Sequence, residues 1–446
     1  MHKKILFLVI YFISPLLPIL AIYSSSPDKY SDINYLIPMV LGAVAYTWLV
    51  AEFILSARPK FIEHFFGLDK FYRFHGLMAV ISVAMVFIHK IIQENLMGEF
   101  ITSQIGDIAW IMFIIVAVLA LVFMANTVLL KLKPLLMIRN YAEKIKVSKH
   151  EYQVLIHNLA VAGLILLFVH VMLTTSSKMS LLVRMIYILY FAIAVAFYVY
   201  HKFIRLHKLK KNMYIIKNII EETPNVWTIR LVPENGKLLA YNPGQFGFIR
   251  FPGGNVKNEE HPFSISSAPG DKYISVTIKE LGDFTSQIKE LKIGQKALLD
   301  APYGKFSYVD YPRETGTALI VGGIGITPAL SMLRHIRLYQ KDRPTILIWG
   351  INDRNDLFCA DELEQAEKEM KNFKFIPVMF KDDSWQGERG VIDVARLKRI
   401  FSTYDIKADF YGFYVCGPAV MLQSVVRSLK SLGIRKNKIH FERFSI

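Results

Sequence analysis

Long apolar runs crowd the first 200 positions, and four histidines lie inside two of them: His75 and His89, then His157 and His170. Runs of this length with few charges are candidate membrane crossings. A polar ring within such a run must face a bundle interior or a bound group, because hydrocarbon offers it no partner. At about 1.5 Å rise per residue, the fourteen positions from His75 to His89 span ~21 Å and the thirteen from His157 to His170 span ~20 Å. Two such helices side by side offer two bis-histidine sites, one above the other across a hydrocarbon core about 30 Å thick. The four histidines therefore read as axial ligands of two b-type haems; the plain alternative is four histidines packed between helices. One detail resists: at ~100° per residue, fourteen steps return to within ~40° of the starting face, whereas thirteen miss it by ~140°. The second helix is expected to bend, with Gly163 the candidate position.

Six spans are counted, at 4–23, 34–57, 71–92, 108–130, 153–175 and 180–201, an all-α transmembrane bundle. The first follows His2-Lys3-Lys4 with no small-residue cleavage site and is retained as an anchor. Basic residues gather between spans two and three (Arg58, Lys60, Lys70, Arg73), between four and five (Lys131, Lys133, Arg139, Lys144, Lys146, Lys149), and from Lys202 through Lys211. Those segments and both termini are thus expected in the cytosol, with the chain a multi-pass protein of the cell membrane. His75 and His157 become the inner pair, His89 and His170 the outer. The same loops account for much of the net charge of +16, so no nucleic-acid partner is expected. His64, His150, His201 and His207 fall in loops or at helix ends, where a solvated ring is the plainer reading. Cys359 and Cys416 both lie in the cytosolic half, where no structural disulfide is expected.

Beyond residue 211 the pattern changes to short alternating strands, such as Val226–Leu231 and Tyr273–Ile278, separated by Gly, Pro and Asn. This predicts an antiparallel β-barrel over 212–315. From 316 to 446, apolar strands alternate with helical stretches, which predicts an α/β domain with a parallel sheet. Leu319-Ile320-Val321 runs into Gly322-Gly323-Ile324-Gly325-Ile326-Thr327-Pro328, a strand-to-helix turn whose glycines let backbone N–H groups approach a pyrophosphate. Tyr241-Asn242-Pro243-Gly244-Gln245-Phe246, then His261-Pro262-Phe263-Ser264-Ile265-Ser266-Ser267-Ala268-Pro269, and finally Tyr414-Val415-Cys416-Gly417-Pro418 complete the set.

With these motifs in this order, the C-terminal half resembles the ferredoxin-NADP reductase superfamily, and the whole chain resembles the NADPH oxidase and ferric reductase family. The histidine spacings also match that family's haem-bearing helices. The resemblance implies a transmembrane haem domain at 1–211, an FAD domain at 212–315 and an NAD(P)H domain at 316–446. His261, Pro262, Phe263 and Ser264 match the strand that holds the flavin ring and ribityl chain. Thr277, Ile278 and Lys279, with Gly282, Phe284 and Thr285, match the segments that hold the rest of FAD. Gly322, Gly323, Gly325, Thr327 and Pro328 match the nicotinamide nucleotide turn, and Cys416, Gly417 and Pro418 the strand end beside the nicotinamide. Phe444 resembles the terminal aromatic that covers the flavin, although Ser445 and Ile446 follow it here. Cys416 and Phe444 also suit purely packing roles. Arg354, in Asn352-Asp353-Arg354-Asn355-Asp356, is the candidate partner of a 2′-phosphate, which favours NADPH over NADH although Asp353 and Asp356 oppose it.

A nicotinamide gives a hydride, a six-coordinate haem accepts single electrons, and flavin converts one into the other. The expected path therefore runs from NAD(P)H through FAD and both haems to an acceptor outside. Filled axial positions imply outer-sphere transfer. The outer segments, 24–33, 93–107 and 176–179, contain no His or Cys to ligate a metal, which tilts the expected acceptor toward O2, giving superoxide. Lys90, Lys178 and Arg184 are candidates to steady that anion, and equally suit interface anchors. Chelated ferric or cupric ions, or a membrane or periplasmic partner fed by the conduit, are the alternatives. Nothing in the sequence points to an obligatory protein partner.

Overall fold

In a computed structural model that describes residues 2–97, 101–123, 137 and 156–443, the chain forms two compact units, Met1–Arg205 and Leu206–Ile446.

The first unit is helical: α1 (His2–Ile13), α2 (Leu16–Ser25), α3 (Ile33–Ser56), α4 (Leu68–Met97), α5 (Ile101–Phe123), α6 (Leu159–Leu173) and α7 (Leu181–Val199), with short turns between. Among the described residues, five stretches are long and apolar enough to cross a membrane: Lys4–Ser25, Ile33–Ser56, Lys70–Glu94, Ser103–Val122 and Leu181–Lys211; α6 is a shorter apolar helix. The predicted start of the fifth span, and the basic residues Lys131 to Lys149, lie outside the described residues. Asp32 caps α3 by accepting from the Asn34 N–H at 2.9 Å, which supplies one of the donors a helix start leaves unpaired. Helix α4 packs along α3 and α6 along α5. Leu77, Ile81, Phe87 and Ile88 of α4, and Leu181, Leu182, Met185 and Leu189 of α7, stay exposed, a surface suited to hydrocarbon rather than water.

Two boundaries depart from the sequence reading. Helix α5 begins at Ile101 instead of 108, and its polar second turn is tied to α4 where Lys90 pairs with Asp107 at 2.7 Å. The expected bend at Gly163 is not where the irregularity lies. The helix is interrupted by a turn at Asn158, directly after His157, so His157 escapes the phase arithmetic of a continuous helix. Gly163 instead permits close approach of α5, since a Cβ there would meet the Phe113 ring at 3.2 Å.

The second unit begins with a six-stranded antiparallel sheet of β1 (Tyr214–Thr223), β2 (Val226–Pro233), β3 (Phe246–Arg250), β4 (His261–Ser264), β5 (Ile274–Lys279) and β6 (Lys296–Tyr303), in the order β4-β3-β6-β1-β2-β5. The chain leaving β4 closes it into a barrel: Ile265 bridges Val276 of β5, and the Ser266 N–H donates to the Ser275 carbonyl at 2.8 Å. The interior is filled by alternate residues such as Ile216, Ile229, Leu231, Val276 and Ile278.

A parallel sheet follows, of β7 (Gly316–Gly322), β8 (Thr345–Ile351), β9 (Phe373–Met379), β10 (Glu388–Arg389), β11 (Tyr411–Cys416) and β12 (Ile439–Glu442), in the order β10-β9-β8-β7-β11-β12. Its three middle strands, β8, β7 and β11, are predominantly apolar because both faces are covered. Leu319, Val321, Leu347, Trp349 and Tyr414 meet one core with α8 (Ile326–Tyr339) and α9 (Ala360–Glu369). Ala318, Ile320, Ile346, Ile348, Phe413 and Val415 meet the other with α10 (Val394–Thr403) and α11 (Ala419–Ser431). The strand order reverses between β7 and β11, and in such sheets ligands bind at the carboxyl ends of the strands flanking that point.

Candidate functional site

The Gly-rich turn sits at this reversal point. Val321 of β7 is paired with Cys416 of β11, so the turns Gly322–Gly325 and Cys416–Pro418 leave adjacent strand ends. A Cβ on Gly325 would meet the Cys416 carbonyl oxygen and the Gly417 Cα, both at 2.7 Å. Gly323 has φ +51° and nothing within 4 Å of the place a Cβ would take. Trp349 Nε1 fixes the turn by donating to the Gly323 carbonyl at 3.0 Å. The Thr327 hydroxyl closes it from the helix side, donating to the Ile324 carbonyl at 3.1 Å, and Pro328 is buried in the first turn of α8. An open cradle at a helix N-terminus fits a nucleotide pyrophosphate.

The barrel offers a second surface. The His261 ring lies on Phe284, with centroids 3.9 Å apart and planes 28° from parallel, and Phe263 stands 6.2 Å from Phe284. His261, Pro262 and Phe263 are partly exposed, whereas Ser264 is buried. This half-open aromatic shelf suits a flat ring system such as flavin. Glu259 Oε2 lies 3.2 Å from His261 Nε2. The Thr285 hydroxyl gathers the turn before it, accepting from the N–H groups of Leu281 at 2.8 Å and Gly282 at 3.0 Å. Two predicted contacts come out differently. The Thr277 hydroxyl bonds to Thr228 at 2.8 Å and Ser266 at 3.0 Å, and Ile278 is in the barrel core, so only their backbone is left for a ligand. Lys279 pairs with Asp356 at 3.6 Å.

Barrel and sheet are tied together by partly buried polar groups. Arg334 of α8 donates to the Ser266 carbonyl at 2.6 Å and makes a two-pronged pair with Glu362 of α9, both contacts 2.6 Å. Burial raises the Glu362 carboxyl, and the guanidinium lowers it by more, so the group stays below the usual carboxylate range. Arg354, the candidate 2′-phosphate partner, is engaged by Asp382 at 2.7 Å and Ser384 at 2.8 Å, and holds the Asp382 carboxyl down at about 2. Cys416 is fully buried at the end of β11. Burial, with Glu222 beside it, pushes the Cys359 thiol up to about 12. Phe444 lies outside the described residues.

In the helical unit, the rings of His75 and His157 stand 6.5 Å apart between centroids, with planes at 64°. An iron bound by two imidazole nitrogens at about 2 Å each places the ring centres on the order of 6 Å apart, so this pair fits a bis-histidine haem. His89 and His170 are close enough to act on each other electrostatically, and each ring is seated on a glycine: a Cβ would reach His89 at 3.0 Å from Gly42 and His170 at 2.9 Å from Gly106. His89 Nδ1 meets the Pro38 carbonyl at 2.8 Å, and His75 Nδ1 lies 2.5 Å from Glu52 Oε2. The sequence reading missed Glu52 and Pro38. A lone acid in the apolar run 34–57 was the available signal for Glu52; a backbone carbonyl carries none.

Comparison with known proteins bears on the C-terminal half. Residues 211–322 match the FAD-binding domain family, and residues 319–427 the oxidoreductase NAD-binding domain family. The chain is 28% identical over 252 residues to Flavohemoprotein B of Dictyostelium discoideum, covering 52% of this chain and 58% of that one. It is also 28% identical over 210 residues to the electron transfer component of 2-halobenzoate 1,2-dioxygenase from Burkholderia cepacia, covering 46% and 58%. It thus spans well under two thirds of these relatives. Among solved structures, the FAD/NAD-binding domain of nitric oxide dioxygenase from Vibrio cholerae is similar at 25% identity and TM-score 0.46, covering 52% of this chain and 98% of that one. The C-terminal half is therefore an oxidoreductase module that takes electrons from NAD(P)H through FAD. Among the described residues, the N-terminal half adds five stretches long and apolar enough to cross a membrane.

Proposed function

We propose that this chain is a six-span protein of the cell membrane that moves electrons from cytosolic NADPH, through FAD and two b-type haems, to dioxygen on the far side, giving superoxide. The observation that carries the reading is the pairing of His75 with His157 at 6.5 Å, in a chain that also bears the FAD and NAD(P)H domains. The basic segments put both termini and the reductase module in the cytosol. When bound, FAD splits a hydride's electron pair into the single electrons that haem iron accepts.

The chain's own residues supply position and exclusion. The Gly322–Gly325 turn and the Cys416–Pro418 turn hold the dinucleotide across the β7/β11 crevice. His261, Phe263 and Phe284 present a flat apolar shelf for the flavin ring. The four histidines would hold the two haems as pairs, His75 with His157 and His89 with His170, and would leave the acceptor to take its electron without binding the metal. Lys90 is already neutralised by Glu94 and Asp107, which leaves Lys178 and Arg184 as the cations for a departing anion.

The test is cytochrome c reduction by the purified, FAD-loaded protein with NADPH, with and without superoxide dismutase. Dismutase-sensitive reduction is the expected result. Dismutase-insensitive reduction overturns the oxygen assignment and indicates a metal reductase or a conduit to a partner; greater activity with NADH overturns the choice of nucleotide.

A further inference from the structure

Helix α3 backs both histidines of α4. The two contacts repeat at one interval: Pro38 and Glu52 are fourteen residues apart, as are His75 and His89. The helices run antiparallel through these contacts, so the inner histidine receives a carboxyl group and the outer one a peptide carbonyl. Glu52 is the one acid in Ile33–Ser56, is 4% exposed, and has its other oxygen, Oε1, occupied by the Tyr11 hydroxyl at 2.8 Å. Oε2 is thereby left for His75. The two atoms stand 2.5 Å apart without meeting hydrogen-bond geometry, a contact that a slight turn of the imidazole brings into line.

We propose that Glu52 is a positioning residue for His75, and that the contrast with Pro38 makes the inner haem site more reducing than the outer. The proposal rests on the two-haem reading above. A ligating histidine whose second nitrogen donates to a carboxylate is fixed in tautomer and ring plane and becomes a more basic ligand. A more basic ligand favours ferric iron. A peptide carbonyl is the weaker acceptor, so His89 is less enriched. The difference slopes the path from the inner pair toward the outer one. An acid that costs stability in an apolar helix is thereby given a task.

The experiment is a redox titration of the detergent-purified full chain, followed by haem absorbance, comparing wild type with Glu52→Gln. The expected result is that the lower-potential component shifts upward by at least tenfold in its reduced-to-oxidised ratio at fixed poise, which is about 59 mV for one electron, while the higher component stays in place and haem content is unchanged. A stationary lower component, or movement of the higher one alone, overturns the proposal. If Glu52→Gln loses haem, Tyr11→Phe decides: it strengthens Glu52 as an acceptor and should lower the same component, and no movement overturns the assignment. A wild-type protein without haem fails the two-haem reading itself, an outcome distinct from two retained haems whose potentials ignore Glu52.

Discussion

Replacing Gly325 with alanine isolates the closeness of two chain turns from every other property of the nucleotide site. Gly325 has φ −60° and ψ −5°, which any residue adopts, so the substitution adds no backbone strain. The new methyl would sit 2.7 Å from both the Cys416 carbonyl oxygen and the Gly417 Cα, where ordinary contact begins near 3.4 Å. Both obstacles are backbone, at the end of β11 and in the turn that leaves it, and cannot rotate away. The turns must part by roughly 0.7 Å, within the range where overpacking costs about 1–3 kcal/mol. A misplacement of about 1 Å between reacting groups can slow a reaction by about 10²-fold. The expected outcome is a loss of flavin reduction by NADPH of about one to two orders of magnitude in stopped-flow absorbance, with FAD and haem contents unchanged. A Gly325→Ala protein reduced at the wild-type rate would refute the claim that the two strand ends close on the nicotinamide.

Three further outcomes follow from the geometry. His89→Ala should remove one haem, read as haem per polypeptide, and stop electron exit while NAD(P)H still reduces the flavin; unchanged haem content refutes the ligand assignment. Arg334→Met should destabilise the protein by about 1–2 kcal/mol in thermal unfolding, since it leaves the partly buried Glu362 without its guanidinium. Because Glu362 is depressed in the fold, its contribution is fully present above the ordinary carboxylate pKa and fades as pH falls through the depressed value, so wild type should lose its advantage over Arg334→Met in acid. Arg354→Ala should raise KM for NADPH by roughly tenfold and leave KM for NADH in place, the size expected for one charge-assisted contact; equal effects on both nucleotides exclude Arg354 from a 2′-phosphate.

The strands and the nucleotide turn were readable because their signals are local. An apolar run ending in glycines at 322, 323 and 325 carries its own explanation, and alternation over Val226–Leu231 marks a barrel wall. What escaped depends on contacts between distant residues. Helix α5 starts early and is tied to α4 where Lys90 reaches Asp107, a contact no hydropathy window registers. The interruption at Asn158 has no Pro or Gly to announce it. Thr277 matches a flavin-binding pattern, yet its hydroxyl turns inward because Thr228, two strands' pairing away in sequence, presents another hydroxyl at 2.8 Å. The partner of Arg354 lies on a different segment at Asp382, and only folding brings them together. Among the four histidines, spacing alone indicated pairing; the difference in what backs each ring was not visible.

The crevice between Gly325 and Gly417 also bears on how such a protein is made. Its two walls lie more than ninety positions apart in the chain, so a ribosome working at roughly 5–20 residues/s needs on the order of 5–20 s to deliver the second after the first. Throughout that interval the barrel is complete while the crevice has one wall. A nascent chain in this state has no finished seat for its electron donor. Acceptance of the donor in this crevice waits for its second wall to emerge.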